Sequence, residues 1–490
     1  VAGCAAALSA ARSGSEVALL TKLADPEEAN TRYAQGGIIY TGPDDSPELL
    51  AEDVLVAGAG AGHPEAAALL AAEGPPLVRK LLIDELAVPF DRDEGGFEGL
   101  HLTREGAHSV ERIVHHRDTT GSEVQRALTS AVEREERVTV LPGAVALDLV
   151  VSGGRCTGVH AVRDGEPVYI SGSVVLATGG LGGLYEHTTN PPSATGDGVA
   201  LALRAGATVR DLHYVQFHPT ALYAPEERFL ISEAVRGEGG VLRDARGREF
   251  VDHPLGALAP RDVVAREIAS MMERTGSPCA YLDLTHLPGA WVSERFPAIM
   301  ARCLAQGLDF TAEPIPVLPA AHYACGGVAA DGRGRTSLPG LWAAGEVART
   351  GLHGANRLAS TSLLEGLVWG WRSGGDAART ARPLPSPPAD PPDLFREPAP
   401  EAAWGRLRSI MWQRAGLVRT GESLREGLAE LSALERSFGD TRLRGPLLVA
   451  RTVLRGALLD GKSRGCHYRR DAEPGEAAGP PQAEPAAGHA

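Results

Sequence analysis

The chain has 490 residues, 43% of them hydrophobic, enough for two to four domains at about 100–200 residues each. Its formal net charge of −14, with no Lys/Arg-rich run, excludes the basic face of a nucleic-acid binder and fits a cytoplasmic protein; no apolar run reaches the ~18 residues of a membrane-spanning helix, and no secretory leader is read. The six cysteines form no CxxC pair, so neither a metal site nor a disulfide framework is expected, and they read as scattered buried thiols.

The chain opens with small residues at helical spacing, Val1 to Arg12, which predict a helix packed tightly on a sheet. Ser13-Gly14 ends it, and Glu16-Val17-Ala18-Leu19-Leu20 reads as a short buried strand. Helix followed by parallel strand is half of a βαβ unit. In dinucleotide-binding folds a strand and a Gly-x-Gly turn precede such a helix. Neither stands before Val1, so Gly3 reads as the third glycine of that fingerprint and the N-terminal strand is expected to be missing.

Asn30-Thr31-Arg32-Tyr33-Ala34-Gln35-Gly36-Gly37 places two glycines after a polar run. Bare backbone there can approach a flat or phosphorylated ligand, or simply make a turn. Two apolar runs break into small residues, as at the carboxyl ends of parallel strands where ligands bind. They are Val174-Val175-Leu176-Ala177-Thr178-Gly179-Gly180 and Gly340-Leu341-Trp342-Ala343-Ala344-Gly345-Glu346. Their separation predicts one nucleotide domain interrupted between about residues 212 and 323. Between them, Thr195-Gly196-Asp197-Gly198 leads an Ala-rich helix; Asp197 can serve as an acceptor for ligand hydroxyls, as a helix N-cap, or as both.

The interrupting segment contains Gln216-Phe217-His218-Pro219-Thr220, Arg261-Asp262 after Ala259-Pro260, and Pro319-Ala320-Ala321-His322-Tyr323. Gly354-Ala355-Asn356-Arg357-Leu358-Ala359-Ser360-Thr361-Ser362-Leu363 follows. Each His alone suits a structural role and each Arg a surface ion pair. Two of each suit a dicarboxylate, because the planar guanidinium fork matches a carboxylate. A Pro-rich stretch, Arg382 to Pro400, reads as a semi-rigid linker. Residues 401–462, with Leu424, Leu428, Leu431 and Leu434, read as a small helical bundle, and the tail from Asp471 as disordered.

In this order the motifs resemble those of the succinate dehydrogenase/fumarate reductase flavoprotein family over about residues 1–375. Three stretches resemble its aspartate-oxidising branch. Leu102-Thr103-Arg104-Glu105-Gly106-Ala107-His108-Ser109 carries Ala107 where a Gly is usual. The others are Gly351-Leu352-His353-Gly354-Ala355-Asn356-Arg357 and Ser463-Arg464-Gly465-Cys466-His467-Tyr468. The resemblance implies an α/β fold with a discontinuous, Rossmann-like FAD-binding domain (1–211 and 324–385) around an inserted α+β capping domain (212–323). A linker (386–400), a helical domain (401–470) and a disordered tail (471–490) complete it.

The resemblance further implies FAD contacts at Val1, Ala2, Gly3, Lys22, the run Asn30 to Gly37, Asp197, Glu346, Ser362 and Leu363, with Glu346 on a ribose hydroxyl. Respiratory members link the flavin through a His six residues before the first glycine of the pair; Asn30 stands there, so non-covalent FAD is expected. Gln216, Ser232 (where Thr is usual), Glu233 and Arg357 are implied to bind substrate, and Arg261, Glu105, His218 and His322 to be catalytic. Respiratory members tend to carry Gln where Glu105 stands. A carboxylate there can pair with an α-ammonium group, which succinate lacks. The implied reaction is oxidation of L-aspartate to iminoaspartate, with O2 or fumarate as final acceptor. It is the first step toward quinolinate and NAD, with quinolinate synthase as downstream partner. Two alternatives remain: a respiratory subunit docked on an iron–sulfur protein, against which Asn30 and Glu105 speak, and a non-catalytic flavin-binding relic, against which the intact motif side chains speak.

Overall fold

The computed structural model describes residues 1–224, 229–380 and 397–474. Along the first half, the elements that position the site are α1 (Ala2–Arg12), β1 (Val17–Thr21), β2 (Val138–Pro142), β3 (Val174–Leu176) and α2 (Asp197–Arg204). Then come β4 (Val215–Leu222), β5 (Val241–Arg243), α3 (Arg261–Thr275), β6 (Ala280–Asp283) and β7 (Ile315–Ala324). The last are β8 (Leu341–Ala343), α4 (Thr361–Arg379), α5 (Glu401–Ala415), α6 (Gly421–Phe438) and α7 (Arg444–Leu459).

The nucleotide half is discontinuous. β1 pairs in parallel with β2, Val17 opposite Val138. β3 pairs in parallel with β8, Val174 opposite Leu341, so the two strand-to-glycine junctions lie side by side despite their separation in sequence. Gly14, at φ 93°, turns the chain out of α1 as its composition predicts. β1 departs from the expected buried strand: it is only half-buried, because a large cavity runs along it.

α1 rests on the sheet, where Gly3 faces Leu19 of β1, but its tightest packing is against a helix. Cβ atoms at Gly370 and Gly374 of α4 would lie 2.5 Å from the Ala2 carbonyl oxygen and 2.1 Å from that of Ala6. The two helices therefore touch backbone to backbone, which only glycine on one side and alanine on the other allow. Gly3 has no such need: a Cβ there would meet the Ala177 Cβ at 3.5 Å, an ordinary contact.

Between β3 and β8 in sequence lies a four-stranded antiparallel sheet of order β4-β7-β6-β5. α3 packs on it, burying Val264, Ile268 and Met271 with Leu282 and Val317. β4 is a fully buried strand. Its register slips on both sides of the pair Phe217-His218, next to Pro219, which has no N–H to give the ladder. α3 starts behind Pro260 and stops at Gly276, whose φ of 69° is the left-handed helix stop.

α5, α6 and α7 form the predicted bundle. Leu424, Leu431 and Leu434 are buried and Leu428 only partly. The bundle shares one apolar core with α2, where Val199 and Leu201 join Leu407, Ile410, Leu447 and Leu454. The chain after α7 returns to the nucleotide half: the Cys466 N–H donates to the Ala355 carbonyl at 2.9 Å. Two cysteines that read as scattered, Cys325 and Cys466, are thereby brought near each other, and the Cys466 thiol donates to Asn356 Oδ1 at 3.2 Å; all six thiols are free and buried. Asp471, expected to open a disordered tail, is fixed by the Gly421 N–H at 2.7 Å. The rest of that tail, 475–490, and residues 381–396 of the Pro-rich stretch lie outside the described residues. Among the described residues no helix is long and apolar enough to cross a membrane.

Candidate active site

One cavity of about 920 Å³ runs from β1 and β3, past the start of α1, to the N-terminus of α3 and the buried side chains of β4 and β7. Every implied site residue lines it except Arg32 and Gln216. Arg32 turns away to Asp25 at 3.0 Å and Glu28 at 3.5 Å. Its exposed guanidinium gains more from water and two surface carboxylates than from a closed cavity.

At the nucleotide end, Val1, Ala2 and Gly3 open α1, and Ser362 and Leu363 open α4. Both helix N-termini thus offer unpaired N–H groups and positive dipole ends to the cavity. Glu346 accepts the Ala324 N–H at 3.0 Å and the Asn30 amide at 2.9 Å. Burial pushes its carboxyl up to about 7. Lys22 reaches Asp197 at 2.7 Å and Thr195 at 3.2 Å, closing one side. Asp197 is the first residue of α2 and Gly196 its N-cap, so the N-cap alternative for Asp197 does not hold. Thr31, Tyr33, Ala34 and Gln35 complete the wall, with bare backbone at Gly36, Gly37, Gly179 and Gly345. Two dipole ends for a diphosphate, an acceptor for hydroxyls and a glycine wall for a flat ring together fit FAD.

The other end is charged and closed. Arg261 Nε donates to Glu233 Oε2 at 2.5 Å and its Nη1 to Gln216 Oε1 at 3.1 Å. Glu233 also meets Arg236 at 3.2 Å. Burial alone would raise the Glu233 carboxyl, but Arg261 and Arg236 outweigh it and hold it below the usual range. Gln216 donates to the Asn356 side chain at 2.7 Å and the Arg357 carbonyl at 2.8 Å, and its oxygen faces both arginines. It is buried behind the cavity wall, where it holds Arg261 and Arg357. Ser232 caps the short helix Glu233–Gly237, accepting the Ala234 N–H at 3.2 Å.

The two histidines differ in tautomer. The Thr220 N–H donates to His218 Nδ1 at 3.2 Å, so the ring proton of His218 sits on Nε2. Arg357 can only donate, and its Nη2 lies 3.0 Å from His322 Nε2. His322 therefore carries its proton on Nδ1, toward Thr189 Oγ1 at 2.7 Å. Burial, with the arginines nearby, lowers both imidazoles well below their ordinary range, so both are neutral. Arg357 also donates to Ser362 at 2.5 Å and stacks 4.6 Å from the Tyr323 ring centroid. Burial brings its guanidinium down to about 10, still charged at neutral pH.

Glu105 is 4% exposed. Ser360 donates to its Oε2 at 2.6 Å, and its Oε1 lies against the bare backbone of Gly36. Burial first, then the Glu233 carboxylate, raises the Glu105 carboxyl, while Arg261 and Ser360 oppose the rise. Sequence reading gave no role to Ser360, Arg236, Thr189, Tyr323 or Asn356. Arg236 had a readable signal, three residues after Glu233 on a helix; Thr189 had none.

Residues 1–363 match the FAD binding domain family. An L-aspartate oxidase of Halobacterium salinarum is 45% identical, covering 100% of this chain and 97% of its own length. Those of Mycobacterium bovis and Streptomyces coelicolor are 45% and 44% identical, each covering 96% of this chain. The chain belongs to the L-aspartate oxidase family of FAD-binding flavoproteins. Its fold is shared with solved E. coli quinol fumarate reductase at a TM-score of 0.88 and 28% identity, covering 97% of this chain and 91% of that one. Mycobacterium smegmatis Sdh1 superposes at 0.80 with 29% identity, covering 96% of this chain and 88% of that one. FAD is the cofactor that the family and the cavity share.

Proposed function

We propose that the two ends of the cavity divide the work of oxidising L-aspartate to iminoaspartate, the opening step of quinolinate and NAD synthesis. FAD, held non-covalently, would supply the hydride acceptor when bound, with O2 or fumarate as the final acceptor. The residues implied to hold it are Val1 to Gly3, Lys22, Thr31, Tyr33 to Gly37, Asp197, Glu346, Ser362 and Leu363, with Asn30 steadying Glu346. Segment 212–323 serves as the cap that brings Arg261 over the site. The protein acts in the cytoplasm and hands its labile product to quinolinate synthase.

The chain's own residues bind, orient and hold protons. Arg261 and Arg357 take the two carboxylates, helped by the Nε2–H of His218 and the Ser232 hydroxyl. His322 acts by fixing Arg357. Glu105 receives the α-ammonium group and takes up the one proton the amine must release as Cα gives up hydride. Charge favours this substrate. With both carboxylates ionised, Arg236, Arg261 and Arg357 against Glu105 and Glu233 leave one positive charge. L-Aspartate carries one net negative charge and cancels it, whereas a succinate dianion overshoots.

The observation that carries this reading is a buried acid, Glu105, beside a two-arginine clamp in one cavity. Glu105→Gln should slow flavin reduction by L-aspartate at least about tenfold, since removing the partner of a desolvated ammonium costs a few kcal/mol. Succinate binding should change far less. Stopped-flow flavin absorbance measures the first and equilibrium titration the second; equal losses for both ligands would show that Glu105 does not read the amine.

A further inference from the structure

Ser360 stands where a serine is strained and is not used as serine usually is. Its φ of 53° lies in the left-handed region, where glycine is at ease and other residues are not. It is the N-cap residue of α4, yet its side chain makes no cap hydrogen bond. A serine N-cap ordinarily accepts a backbone N–H of the first turn. Here the hydroxyl donates instead to Glu105 Oε2 at 2.6 Å, and Ser360 is only 9% exposed. Because Ser360 holds one oxygen, Glu105 keeps Oε1 toward Gly36, at the cavity wall. Glycine would suit the backbone of this position better; what it lacks is the hydroxyl.

We propose that Ser360 sets the amine specificity of the site, by holding Glu105 turned so that one oxygen receives the α-ammonium group of an amino dicarboxylate. The inference rests on the reading of Glu105 as the amine acceptor. A hydroxyl that donates to a carboxylate favours its charged form. Without it, burial and the neighbouring Glu233 act with less opposition, and Glu105 takes up a proton at higher pH. A protonated, unsteered acid attracts an ammonium group poorly. Ligands without an amine, held by Arg261 and Arg357, have no use for Ser360.

The test compares Ser360→Ala, Ser360→Gly and Glu105→Gln as FAD-loaded enzymes. It reads the pH profile of kcat/KM for L-aspartate, the Kd of succinate from flavin absorbance, and the melting temperature. Both Ser360 variants should lose about tenfold or more in kcat/KM for L-aspartate at neutral pH, the worth of a hydrogen bond to a charged group. The acid limb should move to higher pH, so that the loss narrows in alkaline solution, while the succinate Kd changes much less. Ser360→Gly relieves the backbone and should show the same loss with an undiminished melting temperature, which separates specificity from folding. If Glu105→Gln loses aspartate selectivity and both Ser360 variants keep it, or lose both ligands equally, the role of Ser360 is overturned. If Glu105→Gln also keeps its selectivity, the reading of Glu105 falls, and this inference with it.

Discussion

Glu346 couples FAD binding to pH. With its carboxyl pushed up to about 7 by burial, the protein without FAD holds it protonated below neutrality and ionised above. The hydroxyls of FAD donate best to the ionised form, so binding releases a proton and affinity should rise with pH through about 7, then level off. Glu346→Gln should flatten that rise. Titrating the apoprotein with FAD by flavin fluorescence across this range checks both. Arg261 permits a second prediction. In the proposed reading it binds a carboxylate in aspartate oxidation, whereas in the resembling family the matching arginine delivers a proton when fumarate is reduced. Arg261→Leu should nearly abolish fumarate reduction and act on aspartate oxidation chiefly by raising KM about 10- to 100-fold, the worth of lost charge-assisted hydrogen bonds. Some stability also goes, since Glu233 keeps only Arg236. Steady-state kinetics with each substrate decides: unchanged fumarate reduction in the variant contradicts the role. Residue identity was the most legible feature of the site, because a guanidinium or carboxylate in a glycine- or proline-marked motif announces its chemistry. Partnership was not legible. That Gln216 holds two arginines, or that His322 spends its Nε2 on Arg357, depends on residues 35, 45 and 141 positions apart in sequence.

At the scale of elements, the contact of α1 with α4 carries both the nucleotide half and the cofactor wall. A Cβ at Gly374 would lie 2.1 Å from the Ala6 carbonyl oxygen, so Gly374→Ala must push the helices apart. Overpacking of this kind costs about 1–3 kcal/mol. The melting temperature should fall and FAD affinity with it, because the N-termini of both helices face the same cavity. An undiminished melting temperature would mean the helices are not in backbone contact. The alanine-rich run of α1 was readable as a helix packed on the sheet, but its tighter partner, α4, was not. The glycines that admit α1, Gly370 and Gly374, are spaced four apart in α4, each 368 residues from the alanine it meets (370 − 2 and 374 − 6), and no local pattern names a partner. β3 and β8 were legible for the opposite reason: each is an apolar run breaking into small residues, a local pattern that marks the switch from strand to ligand-binding turn.

For the whole molecule, the order of motifs was enough to foresee a nucleotide half interrupted by an inserted segment and followed by helices. The close union of those parts was not, since the bundle shares its core with α2 and the chain after it anchors Cys466 beside Cys325. The cavity's two ends are thus held by segments from across the chain, and its chemistry is best tested on the intact holoenzyme. The central claim is that this cavity selects an L-amino dicarboxylate through Glu105 and two arginines. The most direct measurement is anaerobic reduction of the bound flavin, followed by absorbance, with L-aspartate, D-aspartate and succinate in parallel. The account predicts rapid bleaching with L-aspartate alone and slow or no bleaching with the other two. Succinate reducing the flavin as fast as L-aspartate would contradict it.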